Sequence, residues 1–268
     1  MLGDLITDRK NICFAILVHE NREAVKDMLD NIAYFCPNSS IVLFNGGDDL
    51  HLCDSLNYLV CPTSRKLEYG ITGTYILEVM EWLERIKFDY KYIINLDSDA
   101  LFAKEGFEQF VIREMMNKNA DYMGVDVRVP RKSWWCGKCI RPEWKNWQPL
   151  FDSDDFLGCF NVGQIFSKRY VKRLLKYKKF DQFRKTLYHT KVFGIDEIAF
   201  VTMARTLGFN PKKYPRQVSR SIRYRPHFSC EEIKDYLKNH PKAYLFHPVE
   251  RDMKNEVRTF IRNSIHKT

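Results

Sequence analysis

The stretch Lys91-Tyr92-Ile93-Ile94-Asn95-Leu96-Asp97-Ser98-Asp99-Ala100-Leu101-Phe102 decides the fold. Its apolar, β-rich run from Tyr92 to Leu96 predicts a buried strand. Alternation along a strand places Asp97 and Asp99 on one face, with Ser98 opposite. Two carboxylates at the end of a buried strand are costly unless a positive charge neutralises them. A hard divalent cation, Mg²⁺ or Mn²⁺, suits oxygen ligands and commonly sits with substrate phosphates. The plainer alternative is a strand that ends in a polar turn, with both aspartates solvated. The position of the pair, directly after a strand and late in an α/β pattern, favours the metal.

Upstream, residues 11–18 predict a first buried strand with His19-Glu20-Asn21 as its polar exit. Residues 22–35 carry Val25, Leu29, Ile32 and Ala33 at helical spacing. Pro37-Asn38-Ser39 turns the chain. Residues 40–44 form a second strand ending in Asn45-Gly46-Gly47-Asp48-Asp49, which completes a βαβ unit. A short third strand at 59–62 precedes a polar loop, 63–73, with Arg65, Lys66, Tyr69 and Gly70. An amphipathic helix at 74–86 then leads into the aspartate strand.

Downstream, a helix at 106–116 and a strand at 121–129 continue the alternation. Between 130 and 155 stand four tryptophans (Trp134, Trp135, Trp144, Trp147) and three prolines without a clean period. This predicts a long excursion from the sheet; loops of that length are commonly functional, and the tryptophans argue against disorder. Residues 156–166, with Gly158, Asn161 and Gly163, read as a strand or bend. A basic helix capped by Ser167 follows at 167–178, and a loop at 189–194. A helix at 196–207 opens on Asp196, where a negative charge suits the helix N-terminus. A strand is predicted at 218–224 and a short last strand at 243–246, delivering His247-Pro248-Val249. Residues 251–268 form a basic amphipathic helix.

The 268 residues suit one large α/β domain or two small ones, and no linker or repeat divides them. The expectation is a single domain: a nucleotide-binding half at about 11–129, a second half at about 130–250, and the basic helix at 251–268. The formal net charge of +9 favours anionic partners such as nucleotides, phosphates or lipid surfaces. No nucleic-acid fold or aromatic-interleaved basic motif is recognised, so nucleic acid is not an expected partner. The N-terminal Met1-Leu2-Gly3-Asp4 has no basic region, and the apolar run at 12–18 is short for a signal peptide or membrane span. The expected location is cytoplasmic, and the basic tail permits peripheral membrane contact. The eight cysteines are scattered and fit reduced thiols. Cys136-Gly137-Lys138-Cys139 is a single pair; a structural zinc would need a second, and Cys159 and Cys230 offer no supporting spacing.

Strands alternating with helices argue for an α/β fold, with a mostly parallel central sheet flanked by helices and a Rossmann-like N-terminal half. Ligands of such sheets gather at the carboxyl ends of the strands. The exits at 19–21, 45–49, 97–99 and 158–161 therefore converge. Here the chain resembles the nucleotide-sugar glycosyltransferases of the GT-A fold, across about residues 11 to 249. The N-terminal βαβ unit carries part of the likeness. Asn95-Leu96-Asp97-Ser98-Asp99-Ala100-Leu101-Phe102 is similar to that family's Asp-x-Asp strand. Gly194-Ile195-Asp196-Glu197 is similar to the acidic pair that holds the base of inverting members. His247-Pro248-Val249 is similar to the C-terminal histidine that joins the metal in many members. The loop at 62–70, the helix after it, the Asp-Glu helix and the His-Pro-Val end also resemble the core-2/I-branching transferases. That group often lacks an Asp-x-Asp and uses basic residues on the diphosphate; this sequence departs from it there.

Glycosyl transfer gathers negative charge on a leaving diphosphate, which a metal or basic side chains must stabilise. Asp97, Asp99 and His247 are the candidate ligands for Mn²⁺ or Mg²⁺, with Asp97 alternatively at the ribose or a metal-bound water. His247 reads equally as an ordinary strand-end histidine. An acceptor hydroxyl needs a general base. Glu197 is the first candidate and Asp196 the second, against a plain helix-terminal charge and its solvated neighbour. A base opposite the leaving group would invert the anomeric centre. Arg223 and Arg225 are candidates for the phosphates, or surface charges. By position, His19, Asp48, Arg65 and Tyr69 are candidates for the nucleobase and ribose. Trp134, Trp135 and Asn161 are candidates for the acceptor, since aromatic faces suit pyranose rings; some of the tryptophans are expected in the core. The resemblance implies a UDP-sugar donor. The acceptor would be a glycan, a lipid-linked saccharide or a protein. Two rivals stand beside this reading. One is a haloacid-dehalogenase-like phosphatase using Asp97 and Asp99, although that motif normally opens a chain's first strand. The other is a non-catalytic nucleotide- or sugar-binding module.

Overall fold

The computed structural model describes residues 10–265. The Met1-Leu2-Gly3-Asp4 stretch and residues 266–268 of the basic tail lie outside them. The first half runs β1 (Ile12–Val18), α1 (Arg22–Phe35), β2 (Ser39–Asn45), β3 (Leu59–Val60), α2 (Gly73–Arg85), β4 (Tyr92–Asp97), β5 (Leu101–Phe102), α3 (Phe107–Asn117) and β6 (Tyr122–Arg128). Next come α4 (Trp135–Ile140), α5 (Trp144–Phe151), β7 (Gly158–Ser167), α6 (Lys168–Leu175), α7 (Phe180–His189) and α8 (Ala199–Thr206). The chain ends with β8 (Lys212–Lys213), α9 (Arg216–Ser219), α10 (Cys230–Asn239), β9 (Leu245–Phe246) and α11 (Glu256–Ile265).

Seven strands form one sheet in the order β3-β2-β1-β4-β7-β6-β8. Every neighbouring pair is parallel except the two made by β7. The protein is therefore α/β, with a mostly parallel central sheet flanked by helices. Strand β1 sends alternate side chains to opposite faces of the sheet. Ile12, Phe14, Ile16 and Val18 pack with Val25, Met28, Leu29 and Ile32 of α1. Cys13, Ala15 and Leu17 pack with Ile76, Leu77, Met80 and Leu83 of α2 on the other face. Burying both faces of one strand requires a helix on each side, which is why the run is apolar without alternation. Among the described residues no helix is long and apolar enough to cross a membrane.

Two features of topology place the site. β7 runs against its neighbours, so its first residues, from Gly158 to Val162, lie at the carboxyl edge of the parallel strands. Separately, β5 and β9 form a small antiparallel ladder, Leu101 opposite Phe246 and Phe102 opposite Leu245. β5 directly follows the aspartate turn and β9 directly precedes His247. The ladder therefore brings residues about 150 positions apart side by side. The Val249 amide donates to the Asp99 carbonyl at 2.8 Å and extends the contact.

The tail helix is anchored from below. Arg258 is fully buried and donates to Asp27 Oδ2 (2.6 Å), to the Ser98 carbonyl (3.2 Å) and to the Glu250 carbonyl (2.5 Å). The back of the aspartate turn thus rests on the C-terminal helix rather than on solvent.

The structure departs from expectation in four places. Asp99 does not reach Asp97's side by strand alternation, because β4 ends at Asp97 and Ser98-Asp99 form a turn closed by Ala100 N–H to Asp97 O (3.1 Å). Residues 130–155 are mostly helical, with α4 and α5 joined by a 3₁₀ turn at Arg141–Glu143. Pro142 is the second residue of that turn, within the first turn where proline is tolerated, and Pro149 is accommodated within α5. Residues 218–224 are not a strand; they leave α9 and make a single bridge, Ile222 to His247. At 195–207 a 3₁₀ turn, Ile195–Glu197, precedes α8, so Asp196 and Glu197 stand on a turn rather than in a long helix. α7 and α10, to which the sequence analysis assigns no element, complete the flanking layers.

Candidate functional site

One oxygen each of Asp97 and Asp99 and one nitrogen of His247 lie within 4.8 Å of one another. The His247 ring is fixed by Nδ1, which lies 2.9 Å from the Arg223 carbonyl. A carbonyl only accepts, so Nδ1 carries a proton and Nε2 is turned inward, where it can donate to a carboxylate or offer its lone pair to a cation. Nε2 faces Asp99 Oδ1 at 3.2 Å, and Asp97 Oδ1 and Asp99 Oδ1 are both buried without a hydrogen-bond partner. A cation between them would partner both oxygens. Two carboxylates suit Mg²⁺ or Mn²⁺, and the imidazole is a poorer partner for Mg²⁺.

The electrostatics separate the two aspartates. Burial, reinforced by the Asp99 carboxylate, pushes Asp97 up to about 7. Burial also acts to raise Asp99, but His247 and Arg251 outweigh it and hold that carboxyl below the ordinary range. Arg251 lies 3.2 Å from Asp99 Oδ2 and donates through Nε to Ser98 Oγ at 2.9 Å.

The second acidic pair stands on the turn after Gly194, which adopts the left-handed conformation at φ 68°. Asp196 is buried, and its Oδ2 accepts from Thr72 Oγ1 at 2.5 Å. Burial raises its pKa. Glu197 Oε2 accepts from the Cys136 thiol at 3.2 Å. Burial and then the Asp196 charge push Glu197 up to about 8, while the thiol and the Asn161 amide pull it down. A buried carboxyl poised near neutrality is suited to proton transfer.

Both groups line one cavity of about 630 Å³ at the carboxyl edge of the sheet. His19, Asp48, Tyr69, Asn161 and Arg225 line it as well. Eight carboxylates face it against three lysines and arginines, although the chain as a whole is basic. An anionic substrate would meet repulsion there unless a cation accompanied it. The first two strand exits pack backbone to backbone: a Cβ on Gly47 would lie 2.1 Å from the His19 carbonyl oxygen, so only glycine fits. His19 Nε2 is 3.4 Å from Glu20 Oε1, and burial followed by Arg251 lowers its pKa. Asp48 pairs with Lys66 at 2.6 Å. At the mouth the hydroxyls of Tyr69 and Tyr224, 79% and 60% exposed, meet at 3.2 Å.

Four candidates lie outside the cavity lining. Arg65 pairs with buried Glu78 at 2.5 Å and contacts Thr74. Arg223 spends its guanidinium on Glu232, with two contacts of 2.9 Å, and on the carbonyls of Pro226 and His227. It serves the site through its own carbonyl, which orients His247. Trp134 packs on Gly158 and Gly137, and Trp135 is 63% exposed. Of the other two tryptophans, Trp147 is fully buried and Trp144 stacks on Phe151. The cysteines are all free; Cys136 and Cys159 flank Glu197, and Cys230 sits in a different core cluster.

Sequence reasoning did not assign roles to Asn95, Thr72, Cys136, Tyr224 or Arg251. Asn95 is buried in β4 and clamps β7 where it bends: its Oδ1 accepts from Gln164 N (2.7 Å) and its Nδ2 donates to Asn161 O (2.8 Å). A polar residue inside an apolar strand was a visible signal; the remaining four needed the fold. No protein-family model matches the chain, and no curated protein matches it.

Proposed function

We propose that the chain is a glycosyltransferase of the GT-A fold, moving a sugar from a nucleoside-diphosphate sugar to a hydroxyl acceptor with inversion. The observation that supports this best is the convergence of Asp97, Asp99 and His247 with Asp196 and Glu197 in one cavity. A divalent cation bound at Asp97, Asp99 and His247 would offset the charge gathering on the leaving diphosphate. Arg251 and Arg225, both lining the cavity, add positive charge beside it. Glu197 takes the proton from the acceptor hydroxyl. The negative charge of Asp196, held by Thr72, disfavours ionisation of Glu197 and so makes the Glu197 carboxylate more basic. The donor is a UDP-sugar, and the acceptor a glycan, a lipid-linked saccharide or a protein.

The test is a thermal-shift screen of nucleoside diphosphates and their sugars with Mn²⁺, Mg²⁺ or EDTA. Uridine diphosphate is expected to raise the melting temperature with Mn²⁺ and not with EDTA. Absence of a shift with every nucleotide would sink the proposal.

A pH profile tests the base. Glu197 must be ionised to act, and its value is about 8. At saturating Mn²⁺, kcat/KM is expected to rise about tenfold per pH unit below that value and to level off above it. Glu197→Gln should remove the dependence and cost about a thousandfold. Stability should move the other way. The folded chain holds this proton more tightly than the unfolded one, so stability falls as pH climbs from the ordinary carboxylate range through about 8. A flat profile in the wild type would exclude Glu197 as the base.

A further inference from the structure

The amino edge of the sheet carries the electrostatic inverse of the cavity. β7 leaves the sheet there, and Ser167 Oγ accepts from Tyr170 N at 3.0 Å to cap α6. The helix presents Lys168, Arg169, Lys172 and Arg173 in two rows of four-residue spacing; just past its end Lys176 continues the first row, and Lys178 follows. Residues 167–179 contain no acid. With the end of α8 at 206–208, these six side chains line a groove of about 890 Å³.

A solvated helix face ordinarily mixes its charges, as α10 does with Glu231, Glu232 and Asp235 beside Lys234 and Lys238. Like charges four residues apart repel, so α6 bears a cost that α10 avoids. Among the described residues only Asp121, on Arg169, and Asp89, 4.0 Å from Lys168, form ion pairs with the cations of the groove. Among the described residues no carboxylate pairs with Lys172, Arg173, Lys176 or Lys178. The carbonyl end of α8 supplies about half a negative charge, too little to balance four cations. Aromatic rings hold several of the cations in place. Lys168 lies 4.7 Å from the Tyr90 ring, and Arg169 and Arg173 lie 5.6 and 6.0 Å from the Phe209 ring. Cations ordered on aromatic faces lose less freedom when an anion binds.

We propose that this groove binds a multiply phosphorylated anion, at a site separate from the acidic cavity. The shared chemistry is a cluster of phosphomonoesters, carried by a lipid headgroup or by a soluble polyphosphate. The probes are inositol hexakisphosphate, followed by calorimetry, and phosphatidylcholine vesicles with and without phosphatidylinositol bisphosphate, followed by co-sedimentation. Wild-type protein is expected to bind at least one phosphorylated probe. Lys172→Ala/Arg173→Ala/Lys176→Ala, all at exposed positions, should weaken binding about a hundredfold with an unchanged melting temperature. Lys234→Ala/Lys238→Ala on α10 should bind as wild type does. Binding of the soluble probe alone supports the groove with a free anion as its ligand; binding of the doped vesicles supports it with a headgroup. Failure with both probes, or equal binding by the triple variant, overturns the proposal. Tighter binding of a short single-stranded RNA than of either probe overturns it in favour of nucleic acid.

Discussion

Asp99→Asn is expected to abolish the Mn²⁺-dependent binding of uridine diphosphate and to lower turnover by about a thousandfold, the equivalent of the several kcal/mol a metal contributes to charge stabilisation. The substitution keeps the shape of the side chain and removes its charge. Asp99 is the acid whose neighbours hold it ionised, with Nε2 of His247 and the Arg251 guanidinium each 3.2 Å away. Without that charge His247 and Arg251 would face a neutral amide, and Asp97 would be left as the one anionic member of the group. Calorimetric titration with Mn²⁺ gives the direct readout. Glu197→Gln is the informative companion, because it should lose turnover while keeping metal-dependent nucleotide binding. Wild-type Mn²⁺ affinity in Asp99→Asn would remove Asp99 from the ligand set.

Arg258→Met should destabilise the fold by about 3–5 kcal/mol, the usual cost of stranding one half of a buried ion pair. Asp27 is 8% exposed, and the change also unpairs the carbonyls of Ser98 and Glu250. Arg262, 3.6 Å from Asp27 Oδ1, can recover only part of the pairing. The urea midpoint at neutral pH is the measurement. Asp27→Leu/Arg258→Met should recover much of the loss, since a well-packed apolar pair can replace a buried ionic one. A single-variant loss below about 1 kcal/mol would mean that solvent reaches the pair, as at a surface salt bridge. Because Arg258 also supports the Ser98 carbonyl, the recovered double variant should still bind Mn²⁺ more weakly than wild type.

Elements whose pattern is set locally were legible to within a residue. β1, α1, β2, α2 and β4 follow from apolar runs and helical stripes in the first hundred residues. The tryptophan-rich segment was not, because Pro142 and Pro149 masked a stripe of Ile140, Trp144, Trp147 and Phe151 that reads as helical once the prolines are placed. α10 carried a readable signal in its capping box, Ser229 with Glu232. The candidate ligand group was legible by type, since Asp97, Asp99 and His247 stand out in the sequence. What no residue pattern contained was the β5–β9 ladder that joins them, because a two-residue pairing has almost no sequence signature. The arginines were the least legible. Arg65, Arg223 and Arg251 look alike in sequence, and only their surroundings distinguish a partner of Glu78, a support for His247 and a cavity-lining charge.

β7 is inserted between β4 and β6, and Asn95 ties its bend to the aspartate strand. The Asp97–Asp99 turn and the backbone beside Glu197 therefore hang from a single continuous hydrogen-bonded frame. The gap between the Asp97–Asp99 turn and Glu197 is set by the spacing of strands. For the proposed transferase, the stretch from diphosphate to acceptor hydroxyl would have to match that span. At the rim, the loops bearing Tyr69 and Tyr224 meet through their hydroxyls.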